Sequence, residues 1–349
     1  MIRVLVVEDS PVVRDLLVYI LQADNDIKVV ATAADGLQAI ELAERERPDV
    51  ITMDVHMPRL DGIEAVRRIM ETNPIPTVII SASIDPGEVG DAFRAMEAGA
   101  VAVCEKPQGI THPLYQTHAR KIVQTVRMVS EIKVVRRWKP IARDGSPRFA
   151  RGGGLPTRLC GIELVAIGAS TGGPPVLRSL LFGLTRDFPA AIVIVQHISP
   201  GFLPGLVGWL TSATGVPVEI ASEGKAAQPG HAYVAPDAVH MEVQRPLTIR
   251  LVRGPAVNGM CPSVSVLFRS AAESFGRSAA GVLLTGMGRD GAEELGLMKR
   301  GGALTIAQDK ESSVVHGMPA EAIKLGAALH VLPPSKIVET LNSRARRNP

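Results

Sequence analysis

Glu163-Leu164-Val165-Ala166-Ile167 runs directly into Gly168-Ala169-Ser170-Thr171-Gly172-Gly173 and then Pro174-Pro175-Val176-Leu177. A short apolar run ending in small residues reads as a buried strand that leads into a sharp turn. The prolines mark the first positions of a helix, where a missing N–H costs nothing. The segment fits Gly-x-Ser-x-Gly, whose small residues permit a bend that lifts a serine hydroxyl clear of the sheet. A glycine-rich strand–turn–helix also cradles phosphate. The lysine of a P-loop and the spacing of Gly-x-Gly-x-x-Gly are both missing, which counts against nucleotide binding.

Similar strands are predicted downstream at Ile192–Val195, Val282–Leu284 and Leu304–Ala307, with helical stretches between most of them. Val216 to Val252 reads as short strands and turns. The pattern implies a mostly parallel α/β sheet with an antiparallel hairpin region.

Upstream, Pro107 to Arg158 carries eleven Lys/Arg and two Asp/Glu, a local balance of +9, while the whole chain is only +3. Pro140, Pro147, Pro156 and Gly152-Gly153-Gly154 punctuate the same stretch. Like charges and breakers together read as an exposed linker. Its beginning differs: Ile122, Val126, Val129 and Ile132 recur at helical spacing, so a helix is expected over roughly 112–136, followed by a flexible tether. A solvated hinge is preferred for this basic stretch over a nucleic-acid contact. Before it, Arg3–Val7, Ile27–Ala31, Val50–Met53, Thr77–Ile80 and Val101–Cys104 read as strands, each followed by an amphipathic segment. Asp35 and Gln38 resemble a capping box. Five strand–helix units imply a doubly wound parallel sheet. The chain is accordingly divided into residues 1–125, a helix end and linker at 126–158, and a second domain at 159–345.

The 349 residues suffice for two domains with separate cores, and 46% hydrophobic with 21% charged residues argues against wholesale disorder. Aromatics are only 3%, which weakens any stacking platform for single-stranded nucleic acid. Cys104, Cys160 and Cys261 are isolated, so neither a disulfide framework nor a four-cysteine zinc site is expected. The opening residues run straight into Glu8-Asp9, and the apolar runs fall far short of the ~20 residues of a membrane span. A soluble cytoplasmic protein is the default expectation.

Ligands of open α/β sheets bind at the carboxyl ends of the strands. In the first half, Glu8-Asp9, Asp54, Ser81 and Lys106 all fall there. Three converging acids repel unless a divalent cation sits among them, and oxygen ligands suit Mg²⁺. Asp54 would then be a nucleophile able to form an aspartyl-phosphate, with Lys106 and Ser81 on the phosphoryl oxygens. The plainer alternative is that strand-end acids are merely solvated. In the second half, a serine nucleophile needs a base, and the base needs an orienting acid. His197 ends one strand and Asp290 follows another. The alternatives are a turn histidine and an N-cap on the helix Gly291–Lys299. The order Ser170, His197, Asp290 differs from that of α/β-hydrolases.

Asp54-Val55-His56-Met57-Pro58, Asp61-Gly62 and Lys106-Pro107 resemble the receiver domain of two-component response regulators, a five-stranded flavodoxin-like fold, over about residues 1–125. The resemblance makes Asp54 the phospho-acceptor, Glu8 and Asp9 metal-binding acids and His56 a backbone carbonyl ligand. Val103 stands where such domains often carry an aromatic switch residue.

Ile167 to Pro174, Gln196-His197, Tyr233-Val234-Ala235-Pro236, Pro262-Ser263-Val264, Leu284 to Ala292, Ala307-Gln308-Asp309 and His316-Gly317-Met318-Pro319 resemble the CheB-type chemotaxis protein-glutamate methylesterase family. That resemblance implies hydrolysis of glutamyl methyl esters on chemoreceptors and deamidation of receptor glutamines. It implies Ser170 as nucleophile, His197 as general base, Asp290 as its orienter, and Thr171 and the Met287 N–H as oxyanion donors. It implies a chemotaxis histidine kinase as phosphodonor, with no cofactor for the esterase step, no nucleic acid and no membrane insertion. The segment Asn258-Gly259-Met260-Cys261 before Pro262-Ser263-Val264-Ser265 departs from the family's basic run. A response regulator with a weak or inactive scaffolding module is therefore the alternative reading. Cys261 is expected to be a small core-type residue, not a second nucleophile. The receiver is expected to cover the Ser170 edge until Asp54 is phosphorylated.

Overall fold

The computed structural model describes residues 1–81, 86–132 and 161–345. Most of the basic tether, with Cys160, therefore lies outside the described residues.

The first half is a parallel sheet of order β2-β1-β3-β4-β5. Its strands are β1 (Ile2–Val7), β2 (Ile27–Ala33), β3 (Val50–Met53), β4 (Thr77–Ser81) and β5 (Ala102–Glu105). The helices between and after them are α1 (Pro11–Gln22), α2 (Gly36–Glu46), α3 (Gly62–Thr72), α4 (Pro86–Ala98) and α5 (Tyr115–Ser130). Val4, Leu5, Val6, Val50, Ile51, Val78 and Ile79 are sealed on both faces, which is why these strands read as continuous apolar runs. Asp35 caps α2, accepting from Leu37 N and Gln38 N at 2.9 and 3.1 Å. Gln38 Oε1 reaches back to Ala34 N, one residue earlier than a reciprocal box requires. The helix predicted over 112–136 is seen at Tyr115–Ser130, with Ile122, Val126 and Val129 buried as expected.

The second half is a seven-stranded parallel sheet of order β14-β13-β12-β6-β7-β9-β8. Its strands are β6 (Leu164–Ala169), β7 (Ala191–Gln196), β8 (Val218–Ile220), β9 (Ala232–Val234), β12 (Ala279–Leu283), β13 (Leu304–Gln308) and β14 (His330–Leu332). The antiparallel hairpin, β10 (His240–Gln244) with β11 (Thr248–Val252), stands apart. Helices α6 (Gly173–Gly183), α7 (Leu203–Thr214), α8 (Val264–Phe275), α9 (Ala292–Arg300), α10 (Met318–Lys324) and α11 (Pro334–Ala345) complete it. Two strands of the middle block, β8 and β9, join the main sheet in parallel, and β14 adds an edge strand that the sequence reading lacks.

The direction of strand addition reverses between β6 and β12. From β6 the chain builds one way through β7 to β9 and β8, and later the other way through β12 to β14. The crevice at such a reversal is where open α/β sheets bind ligands.

The two halves share an apolar contact. Phe93 on α4 and Trp209 on α7 stack with centroids 5.4 Å apart and 20° between planes, and both are buried. Arg178 of α6 pairs with Glu97 of α4 at 2.6 Å. Among the described residues no helix is long and apolar enough to cross a membrane.

Candidate active site

Ser170 follows β6 and His197 follows β7, and these strands pair with Ala169 opposite Gln196. The two residues therefore leave neighbouring strands at the same level. His197 N donates to Ala169 O at 2.9 Å, and Ser170 N donates to Thr285 O at 3.0 Å. The Ser170 turn is thus tied to both flanking strand ends. Gly172 holds a left-handed φ of 77°, and a Cβ there would lie 2.5 Å from Val314.

His197 Nε2 lies 3.0 Å from Asp290 Oδ2. An ionised carboxylate only accepts, so Nε2 donates in this pair, and in the neutral form of the ring Nδ1 is the nitrogen with the lone pair. Nδ1 is buried and has no hydrogen-bond partner among the described residues.

Asp290 is the most heavily supported group of the site. Its Oδ1 accepts from Ser263 Oγ at 2.7 Å, Ser265 N at 3.2 Å and Asn258 Nδ2 at 3.3 Å. Its Oδ2 accepts from Val264 N at 2.7 Å as well as from His197. Val264 and Ser265 open α8, so the carboxylate sits at the positive end of that helix. Burial pushes the carboxyl upward, but the bonds from His197 and Ser263, the imidazole charge and the Val264 N–H outweigh it. The net effect holds Asp290 well below the usual carboxylate range. The capping role read from the sequence is therefore relocated. Asp290 serves the start of α8, far upstream, while Gly291 occupies the cap of α9.

Of the two oxyanion candidates, Met287 lies on the loop after β12 and its amide makes no hydrogen bond among the described residues. Thr171 Oγ1 faces Met128 Sδ of α5 at 3.8 Å, and Thr285 Oγ1 donates to Thr171 O at 3.0 Å. A cleft of about 1090 Å³ lies between the halves. Met128 and Ile132 line it from one side, and Gly172, Met287, Val314 and His316 from the other. Val314 packs against the apolar cluster of α5.

At the carboxyl edge of the first sheet, carboxylate oxygens of Glu8, Asp9 and Asp54 lie within 4.8 Å of one another. Lys106 Nζ reaches Asp54 Oδ2 at 2.8 Å and Glu8 Oε2 at 3.2 Å. Burial and then the Asp54 charge push Glu8 up to about 7 against the pull of Lys106. Burial also raises Asp54. Three acids facing one ammonium are short of positive charge, a donor set that fits an oxygen-liganded divalent cation. Ser81 ends β4, its carbonyl accepting from Lys106 N at 2.9 Å. The exposed His56 side chain turns to Asp91 of α4 at 3.3 Å. A Cβ on Gly62 would fall 2.0 Å from Asp54 O, which accounts for glycine in Asp61-Gly62.

A family model described as CheB methylesterase matches residues 165–341, and one described as response regulator receiver domain matches residues 4–114. The protein-glutamate methylesterase/protein-glutamine glutaminase of Nitrosospira multiformis is 52% identical over 343 residues, 98% of this chain and 97% of the relative. The chain belongs to the CheB methylesterase family. A Geobacter metallireducens relative with the same enzyme designation is 51% identical over 350 residues, covering 99% of each chain. The crystal structure of the Thermotoga maritima CheB methylesterase catalytic domain is 37% identical with a TM-score of 0.50, covering 53% of this chain and 99% of that one.

Within this CheB-family chain, two groups of supporting residues lie beyond the sequence reading. Gln196 Nε2 donates to Ser170 O at 2.9 Å and to His197 O at 2.8 Å, bridging both residues. A Cβ on Gly173 would come 2.1 Å from Gln196 Oε1, so the glycine makes room for that bridge. The divergent 258–265 segment, which motivates the scaffold alternative, supplies Asn258, Ser263, Val264 and Ser265 to Asp290. It is built around the acid. Burial pushes the half-exposed Cys261 thiol upward, the opposite of an activated nucleophile.

Proposed function

We propose that the chain is a phosphorylation-regulated serine hydrolase that removes methyl esters from glutamyl residues of chemoreceptors and deamidates receptor glutamines. The observation that carries this reading is the His197–Asp290 pair at 3.0 Å beside Ser170 in a CheB-family chain. Ser170 Oγ attacks the ester carbonyl as His197 Nδ1 takes its proton. Asp290 holds Nε2 and stabilises the imidazolium. The oxyanion receives the Met287 N–H and Thr171, interactions whose removal typically costs about 3–4 kcal/mol each. The imidazolium then protonates the departing methoxide, so methanol leaves and an acyl-serine remains. Water, deprotonated by Nδ1, splits the acyl-serine to the glutamate carboxylate and restores Ser170. From a glutamine the same sequence releases ammonia.

In the receiver, Asp54 is the phospho-acceptor, and a chemotaxis histidine kinase is the donor. Glu8, Asp9, Asp54 and the His56 carbonyl would hold Mg²⁺, which when bound offsets negative charge around the phosphoryl oxygens. Lys106 and Ser81 steady those oxygens. Without phosphate, α5 and α4 lean on the Ser170 side of the second domain, with Met128 against Thr171 and Phe93 against Trp209. A bulky receptor helix is thereby kept out, and phosphorylation shifts the population toward an open form. The reaction needs no nucleic acid and no membrane insertion, and the cytoplasm is its proposed location.

Methanol release from methylated receptor membranes tests the assignment. Ser170→Ala is expected to lower turnover by on the order of 10⁶-fold with the melting midpoint preserved. Residual methanol release near the unsubstituted rate would end the triad reading.

A further inference from the structure

His240 opens β10 and is only 3% exposed. Its Nδ1 accepts from Ser263 N at 3.2 Å, and its Nε2 lies 3.0 Å from Pro255 O. A carbonyl cannot donate, so Nε2 carries the proton and one neutral tautomer satisfies both neighbours. Pro255 and Ser263 bracket the loop that delivers Asn258 and Ser263 to Asp290. One imidazole therefore ties together the two ends of that loop. From there the chain of contacts runs Ser263 Oγ to Asp290 Oδ1 at 2.7 Å, then Asp290 Oδ2 to His197 Nε2 at 3.0 Å.

The hairpin has other fastenings to α8. Val243 N donates to Ser270 Oγ at 3.0 Å, and Ser274 Oγ donates to Val243 O at 3.1 Å. Docking of β10 onto α8 thus does not depend on the histidine. What depends on it is the pair of backbone groups at the loop ends, which are left without partners if the imidazole is removed.

We propose that His240 is a positioning residue for hydrolysis: its neutral imidazole clamps the 255–263 loop so that Ser263 and the first amides of α8 stay aimed at Asp290. The proposal rests on the reading of Ser170, His197 and Asp290 as the catalytic set. It predicts an asymmetry between two polar replacements. In His240→Asn the side-chain oxygen takes the place of Nδ1 and keeps an acceptor for Ser263 N. In His240→Gln the amide nitrogen takes the place of Nε2, keeps the donor to Pro255 O and loses that acceptor.

The test measures kcat and KM for methanol release from a glutamyl γ-methyl ester peptide by the full chain, with a melting curve for each variant. His240→Gln is expected to lower kcat about 10- to 100-fold with KM changed less than about two-fold, as a misplaced catalytic group does. His240→Asn is expected to recover kcat to within about three-fold of the unsubstituted protein. Asn no better than Gln at similar melting midpoints, or Gln with an undiminished kcat, would overturn the proposal. Ser170→Ala in the same assay separates the two claims. If it is inactive while both His240 variants turn over normally, the clamp alone is wrong. If it remains active, the triad reading is wrong.

Discussion

Replacing Trp209 by leucine is the most direct way to test whether the receiver holds the active-site edge closed. The indole stacks on Phe93 across the boundary, centroids 5.4 Å apart. Such a ring pair contributes about 0.5–1.5 kcal/mol beyond the area it buries. Losing a ring face of roughly 50 Å² removes about 1 kcal/mol more at 25 cal/mol per Å². Both contributions exist only in the closed arrangement, because opening already separates the rings. Trp209→Leu should therefore weaken closure by about 2 kcal/mol, a shift of roughly 30-fold toward the open form. Leucine keeps α7 amphipathic beside Leu206 and Leu210, so the second domain should still fold. In a methanol-release assay without phosphodonor, basal turnover is expected to rise by up to that factor, capped where the open form predominates. Stimulation by a small phosphodonor should shrink in proportion. An unchanged basal rate with full stimulation and an unchanged melting curve would refute the idea that this contact closes the site.

Two other outcomes follow from the geometry. Glu8 is raised to about 7, so its folded form favours the proton, and its contribution to stability is present at low pH and lost as pH rises through about 7. Mg²⁺ should relieve that loss, stabilising the fold by about 1.4 kcal/mol at pH 8 when it stands tenfold over its Kd there, and raising the melting midpoint more at pH 8 than at pH 5.5; equal midpoint shifts at constant ionic strength would speak against cation binding there. Gly286→Ala places a Cβ 2.5 Å from Met318 Sδ and 2.7 Å from Ser170 Cβ, and should lower kcat about 100-fold by displacing the serine. A fully active, unshifted Gly286→Ala protein would show that the turn has room to spare.

Much of this architecture is legible in the sequence because a parallel sheet gathers at one edge whatever follows its strands. Asp54, Ser81 and Lys106 are read from strand ends, Ser170 from its glycine-rich turn, and His197 and Asp290 from the loops that follow strands. The three-residue strand β14 escapes such reading, and β8 and β9 are legible only as unplaced short strands of the middle block, since three residues show no period against which a strand is recognised. The support of the proposed triad escapes for a different reason. The partners of Asp290 at 263–265 are brought to it by the fold, so a local rule assigns it to the helix that follows in sequence. Gln196 is adjacent to His197, yet its bridging role depends on an absent Cβ at Gly173.

The buried carboxylates of the two edges differ in one respect that separates their chemistry. Asp290 faces five hydrogen-bond donors, which over-compensate its burial and hold it ionised. A carboxylate so saturated has no lone pair to spare for a metal and little nucleophilic freedom, but it can fix an imidazole in one tautomer. Asp54 and Glu8 are buried as deeply and share Lys106, with burial pushing both upward. Carboxylates left short of positive charge seek a cation and keep an oxygen available for attack on phosphorus. On the proposed roles, the count of donors around each buried acid, more than its place at a strand end, separates the one that orients a base from the one that accepts a phosphoryl group.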